Sequence, residues 1–279
     1  MITNKKTDQA WGTLFARLEA DGLLETKKES RSRTFNRVGL RVAVAVVLLC
    51  LCGGIAFLYN RKAAKGTDTL LVLSNENKEA TLVSTLEDGS TIYLSEAASL
   101  RYPKHFPKEK REVFLEGDAF FDIHQNRQSP FFIETEDVRV EVLGTAFSIR
   151  NLKDKPFRIA VERGTVCITR KKDARSMQVE AGQTVIVDPD RIRKQANEAH
   201  IFFRYKDRLY FKDEKLPDLI RVINQYADGP EICLGKGLEE RRLNYAYVDD
   251  SSMEVTKVIC LALDLRYERK GDEIWILPQ

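Results

Sequence analysis

Histidine is scarce in these 279 residues: His105, His124 and His200 are scattered, and none has a cysteine at zinc-ligand spacing. That argues against a metal site. Five cysteines are present, but Cys50 and Cys52 lie inside a long apolar run and read as small apolar residues of a helix. The remaining Cys167, Cys233 and Cys260 are an odd set with no CxxC pair, which fits no full disulfide framework. Also missing are a Gly-rich phosphate loop, a G-x-S-x-G elbow, an H-E-x-x-H pair and the kinase motifs. No enzyme class is marked and no cofactor is expected. Asp118 and Asp122 fall in an alternating strand, where carboxylates are expected on a wet face.

What is present is the run Val42 to Tyr59, eighteen residues without charge, Pro, Asn or Gln. As a helix at 1.5 Å per residue it covers ~27 Å, close to the hydrocarbon core of a bilayer. It is apolar on every side, so a membrane span is expected. Forty-one residues precede it, too many for a cleaved signal peptide, and Leu49 and Leu51 stand where a lipoprotein signal needs small residues. Residues 1–41 carry nine basic and five acidic residues, a net of +4, so the rest of the chain sums to −1. Lys27, Lys28, Arg31, Arg33, Arg37 and Arg41 cluster before the span, which places the N-terminus on the cytoplasmic side. Such a cluster meets anionic lipid more readily than nucleic acid, and no direct nucleic-acid partner is expected.

Within the inner arm, Trp11, Leu14, Phe15 and Leu18 fall at i, i+3, i+4 and i+7, with Thr7 as N-cap and Asp21-Gly22 as the stop. One helix cannot build a core. Only Arg17 is basic on its polar face, so a partner protein's groove is favoured over the membrane surface as the place for this stripe. Residues 60–79 read as a linker. From residue 80 to 189 short β-rich runs alternate with turn signals: ATLVSTL, EDGS, TIYLS, REVFLEG, AFFDIH, SPFFIET, VRVEVLG, FRIAVERG, TVCITR and MQVEAGQTVIVD. Many short strands of this kind point to an all-β sandwich or roll.

The succession LEDGSTIYLSEAASLRYPKHF, REVFLEGDAFFDI, PFFIET and VEVLGTAFSIR resembles the periplasmic domain of FecR-type sigma-factor regulators, over roughly residues 80 to 170. Its Asp-Gly turn, Tyr-Pro, Glu-Gly-Asp-Ala-Phe and Leu-Gly-Thr-x-Phe signatures occur in order. Residues 190–208 are polar and read as a second linker. Beyond them, residues 209–279 show two β-α-β-like halves of a small α+β domain. The strand LYF precedes a helix from Leu216 to Tyr226, with Leu216, Leu219, Ile220, Ile223 and Tyr226 on one face. After the strand LNYAYV, Ser251 and Glu254 form a capping box for a second helix with Val255, Val258, Ile259 and Ala262 as its stripe. LRYER and EIWIL close as a hairpin. This end resembles the small domain attached to FecR-type regulators of the Bacteroidetes kind.

The resemblance implies a single-pass inner-membrane protein, N-terminus cytoplasmic and C-terminus periplasmic. An extracytoplasmic-function sigma factor would bind Trp11, Leu14, Phe15 and Leu18, although this arm is shorter than the several-helix region usual in the family. The signalling domain of an outer-membrane TonB-dependent transporter would bind outside. Leu209, Tyr210, Phe211 and Ile274, Trp275, Ile276 are expected to supply exposed edges for it. The lipid bilayer is the third partner. Some relatives self-cleave at a Gly-Thr bond, which transfers to Gly144-Thr145; a Thr hydroxyl attacking the preceding carbonyl is the chemistry involved. A bulge glycine that bends the sheet is the other reading of Gly144. A function from a different class, an anchored glycan-binding envelope module without sigma-factor control, also fits the composition.

Overall fold

Runs of Val, Ile, Phe and Thr five or so residues long, cut by Gly and Asp turns, form strands because β-branched and aromatic side chains pack well on a pleated surface. The computed structural model describes residues 12–14, 16–17, 20–21 and 70–279. In the inner arm, residues 12–14, 16, 17 and 20 are helical and Leu14 is 49% exposed, while Trp11, Phe15 and Leu18 lie outside the described residues. The expected span at 42–59 also lies outside them. Among the described residues no helix is long and apolar enough to cross a membrane.

Thirteen strands come first: β1 (Leu70–Ser74), β2 (Thr81–Thr85), β3 (Thr91–Leu94), β4 (Ser99–Pro103), β5 (Arg111–Asp122), β6 (Phe131–Glu134), β7 (Val138–Val142), β8 (Ala146–Asn151), β9 (Phe157–Arg163), β10 (Thr165–Arg170), β11 (Ser176–Glu180), β12 (Gln183–Val187) and β13 (Ile192–Ala196). There follow β14 (Leu209–Lys215), α1 (Leu216–Ile223), β15 (Glu231–Leu234), β16 (Arg242–Tyr247), α2 (Ser252–Leu263), β17 (Leu265–Lys270) and β18 (Glu273–Pro278). Residues 70–279 belong to one compact unit.

The strands form two facing sheets that share β5. Residues Arg111 to Phe114 of β5 pair with parallel β6, and Phe114 to Glu116 pair with β4. Residues Gly117 to Asp122 pair instead with β8, and the last four of them with β3. The change of sheet falls at Gly117, whose φ is +91°, and a Cβ there would stand 2.8 Å from the Cα of Ala98. Glycine is the residue that satisfies both demands. The first sheet runs β11, β10, β7, β6, β5, β4, β1, and the second β13, β12, β9, β8, β5, β3, β2, β14, β16. Between them lie Leu115, Val140 and Ile168 of the first sheet and Ile92, Ile149 and Val185 of the second. Phe121 and Phe147 stack at 5.3 Å within that layer. The expected all-β region is thus a sandwich.

The Glu87 to Ser90 turn does more than reverse the chain. Asp88 accepts from the Ser90 N–H at 3.1 Å and pairs at 2.6 Å with the guanidinium of Arg111, which is 2% exposed. That buried cation also donates to the carbonyls of Ser129 and His124, so its charge is matched from two loops.

Around β2, β3 and β5 the second sheet is buried on both sides. Its outer face contributes Val83, Tyr93, Phe120 and Ala146 to a second core with Leu216, Leu219 and Ile223 of α1 and Val255 and Ile259 of α2. This explains why TIYL of β3 is buried at every position instead of alternating.

Several expectations need correction. Residues 70–74, read as part of a linker, pair with β4, and the apolar Leu73 packs on the sandwich core. Residues 190–208 are no bare linker either: β13 pairs with β12, and Tyr205 is fully buried against Phe120. Sequence conceals both because each depends on a distant partner: β1 meets β4 across two intervening strands, and one buried aromatic anchors the polar stretch. Asp118 is not on a wet face but 2% exposed, because the neighbouring Gly117 turns this part of β5 beneath the 202–205 turn. The strands of the small α+β domain do not share one sheet. β14 and β16 join the second sheet, while β15, β18 and β17 form a small sheet of their own. In α2 the capping box of Ser251 and Glu254 is present, but Val258 and Ala262 face outward and Thr256 and Cys260 take their place inside.

Gly117→Ala should lower stability by roughly 2–4 kcal/mol in denaturant unfolding, since the new methyl meets backbone. Gly182→Ala has nearly the same φ, +84°, with nothing within 4 Å, and should cost only about 1 kcal/mol.

Candidate functional site

The strands expected to present open edges are interior strands. β14 pairs with antiparallel β16 on one side and parallel β2 on the other, and Leu209 and Phe211 are fully buried. Tyr210 is half-buried against the sandwich core. β18 lies between β15 and β17; Ile274 and Ile276 are fully buried, while the Trp275 indole N–H donates to Glu273 at 2.8 Å. None of these six residues is on a free edge, contrary to the expectation from sequence. A strand with aromatic and β-branched residues looks the same in sequence whether it is paired on one side or two.

Instead, Leu209, Tyr210 and Phe211 build a seam between the sandwich and the C-terminal segment, in register with Thr81, Leu82 and Val83. Beyond them β14 bulges: Asp213 has φ of +49°, and the pairing with β16 resumes at Glu214. The bulge turns Glu214 inward, where it is 6% exposed and accepts the Thr85 N–H at 3.1 Å. Among the described residues no ion pair neutralises it. Burial raises its carboxyl to about 7, an effect that the Thr85 bonds and Arg242 oppose and Asp218 reinforces. Around it, Arg221 of α1 donates to the hydroxyls of Thr91 at 3.2 Å and Thr85 at 3.3 Å, and the hydroxyls of Tyr93 and Tyr226 meet at 3.1 Å. The seam is therefore held by apolar strands and a polar rim that includes one uncompensated carboxyl. Nothing in a sequence window signals it, since its partners lie more than a hundred residues away.

Gly144 and Thr145 sit where the chain passes from β7 in the first sheet to β8 in the second. A Cβ on Gly144 would stand 2.6 Å from the Cα of Gln125, so glycine here permits a close approach of two loops. Thr145 is 1% exposed; its hydroxyl donates to the Thr165 carbonyl at 3.0 Å, and its own carbonyl accepts from Ile123. The register shift lies just beyond, between Ala146 and Phe147 against β9. A cleft of about 270 Å³ beside Gly144 is lined by Asp122, His124, Arg163 and Arg221, with Asp122 and Arg163 paired at 2.8 Å.

Asp118 accepts from the Asn151 N–H at 3.1 Å and pairs with Arg150 at 3.4 Å and Arg204 at 3.3 Å, so the Glu-Gly-Asp-Ala-Phe signature is structural. Gly117 bends, Asp118 ties three segments, and Phe120 roots the second core. Among the described residues no group of His, Cys, Asp and Glu has the geometry of a metal site.

With this architecture in place, comparison with known proteins identifies the β region. Residues 72–167 match the family model described as FecR protein, from within β1 to within β10. Over that stretch the chain is similar to the FecR family, as its spaced motifs indicated. Two crystal structures of a "putative anti-sigma factor" from Parabacteroides distasonis, at 2.50 and 1.65 Å, are similar. They are 23% and 22% identical, each with a TM-score of 0.46, over 75% of this chain and 99% of theirs. No curated protein matches the chain.

Two outcomes are expected. The folded-state carboxyl of Glu214 lies above its ordinary 4.5, so deprotonation is disfavoured in the fold and stability should fall as pH rises from about 4.5 through 7. Glu214→Gln keeps an acceptor for Thr85 and should flatten that slope, adding on the order of 3 kcal/mol at pH 8 in unfolding experiments. Thr145→Val leaves the buried Thr165 carbonyl without this donor and should cost about 1–2 kcal/mol. Comparing wild type and this variant on a denaturing gel tests cleavage: a shorter band in wild type alone assigns the hydroxyl to backbone chemistry, and identical full-length bands assign it to structure.

Proposed function

We propose that this chain is a single-pass inner-membrane regulator of an extracytoplasmic-function sigma factor, relaying a signal from an outer-membrane TonB-dependent transporter. The observation that carries the reading is the FecR match over the sandwich, joined in one chain to a basic arm, an eighteen-residue apolar run and an apolar helical stripe. In this reading the arm holds the sigma factor through Trp11, Leu14, Phe15 and Leu18, laid as anchors into a groove. The run Val42 to Tyr59 is the membrane anchor, and the sandwich with its C-terminal segment lies in the periplasm. The transporter's signalling domain docks by strand addition, and the seat for it is β16, whose outer side pairs with no described strand. β17, another terminal strand, carries Arg266, Glu268, Arg269 and Lys270, charges of the kind that blunt an edge against pairing. The seam at β14 gives the proposal a mechanical element, because force on β16 acts directly on the strand that joins the two parts.

Residues 1–41 used as bait should retain a sigma factor from the same cell, and Trp11→Ala with Phe15→Ala should abolish the capture. A topology reporter fused after Gln279 should be active only outside the cytosol. A reporter active in the cytosol, or bait that retains no polymerase subunit, overturns the proposal.

A further inference from the structure

Across the outer face of the second sheet runs a row of arginines. Arg150 of β8 stands directly opposite Arg158 of β9. Arg158 is in register with Ile186 of β12, and Ile186 with Arg193 of β13. Directly opposed residues share a face, so the three guanidinium groups lie along one line across four strands. At ~4.8 Å between strands, the row is ~14 Å long. Like charges placed directly opposite are destabilising, and here two arginines are so placed.

The row borders a cleft of about 250 Å³, over which Lys155 projects from the β8–β9 turn, with Leu152 and Ile186 as an apolar floor. Carboxylates are present but too few. Arg150 and Arg204 share Asp118, Arg193 and Arg191 share Asp188, and Arg158 pairs with Glu198 at 3.1 Å. Lys155 has no ion-pair partner among the described residues. Four cations, Arg150, Lys155, Arg158 and Arg193, thus line the cleft, and no carboxylate does. An anionic ligand entering it would meet guanidinium groups already oriented by the acids behind them, the arrangement that favours charge-assisted, forked hydrogen bonds.

We propose that this face is a binding site for an acidic polysaccharide, with carboxylate groups on the arginine row and sugar rings on the apolar floor. Its shape is elongated, matching a chain and not a single ion. No aromatic side chain lines it, so nucleic-acid bases would have nothing to stack on. Of its apolar residues Ile186 is buried and Leu152 half-buried, whereas a lipid-binding surface projects large apolar side chains. The site is independent of the sigma-factor reading and involves none of the arm's residues.

The full-length chain titrated calorimetrically with oligogalacturonate should show saturable binding that weakens as salt is added. Neutral malto-oligosaccharide, polyglutamate and inorganic phosphate serve as comparisons and should bind at least tenfold more weakly. Lys155→Ser removes an unpaired surface charge, so it should leave the melting temperature unchanged and weaken binding severalfold. Adding Arg158→Ser should bring the loss to about tenfold or more. The proposal is overturned if the wild type shows no saturable binding, if Lys155→Ser binds as the wild type does, or if any comparison ligand binds equally well.

Discussion

One glycine in one strand governs the layout of this molecule. β5 is twelve residues long and belongs to both sheets, and it can do so because the chain turns at Gly117 with a φ that side chains resist. Before the turn its alternate residues Val113 and Leu115 face the sandwich interior; after it, Phe121 continues that interior while Phe120 faces the opposite way. The bend thus closes the sandwich and opens a second surface for packing.

That second surface is where the C-terminal segment docks. A sandwich sheet normally keeps its outer face in water, but here Val83, Tyr93 and Phe120 need a cover, and α1, α2 and the 202–205 turn supply it. The parallel pairing of β2 with β14 continues the sheet across what would otherwise be a boundary between domains. Placing an unpaired carboxyl in that seam makes the junction weaker than its apolar strands alone would, in a pH range near neutrality. The uncovered part of the same outer face carries the arginine row. Burial at one end and cation excess at the other are two uses of a single sheet surface.

Much of this was legible beforehand, for local reasons. The Asp-Gly turn, the capping box at Ser251 and Glu254, Pro217 in the first turn of α1 and the hairpin from Leu265 to Pro278 are each set by residues close in sequence. The Leu-Gly-Thr-x-Phe and Glu-Gly-Asp-Ala-Phe stretches marked the family for the same reason. Less was legible where a residue's role depends on distant partners. β1 reads as linker because its partner β4 lies beyond two intervening strands, and β4 is hidden because Tyr-Pro reads as a loop. Asp118 was assigned to the surface by its place in an alternating strand, an alternation that Gly117 interrupts.

The amino-acid order by itself determined the helices, most of the strands, where the turns fall and which family the β region resembles, because these follow from periodicity, capping and turn chemistry within a few residues. Tertiary structure decided which strands are edges. Leu209 to Phe211 and Ile274 to Ile276 carry the same pattern they would at a free edge, yet they are enclosed because a second partner strand arrives from far along the chain. It also decided that Arg150, Arg158 and Arg193 share one line, since register across four strands is fixed only when the sandwich closes.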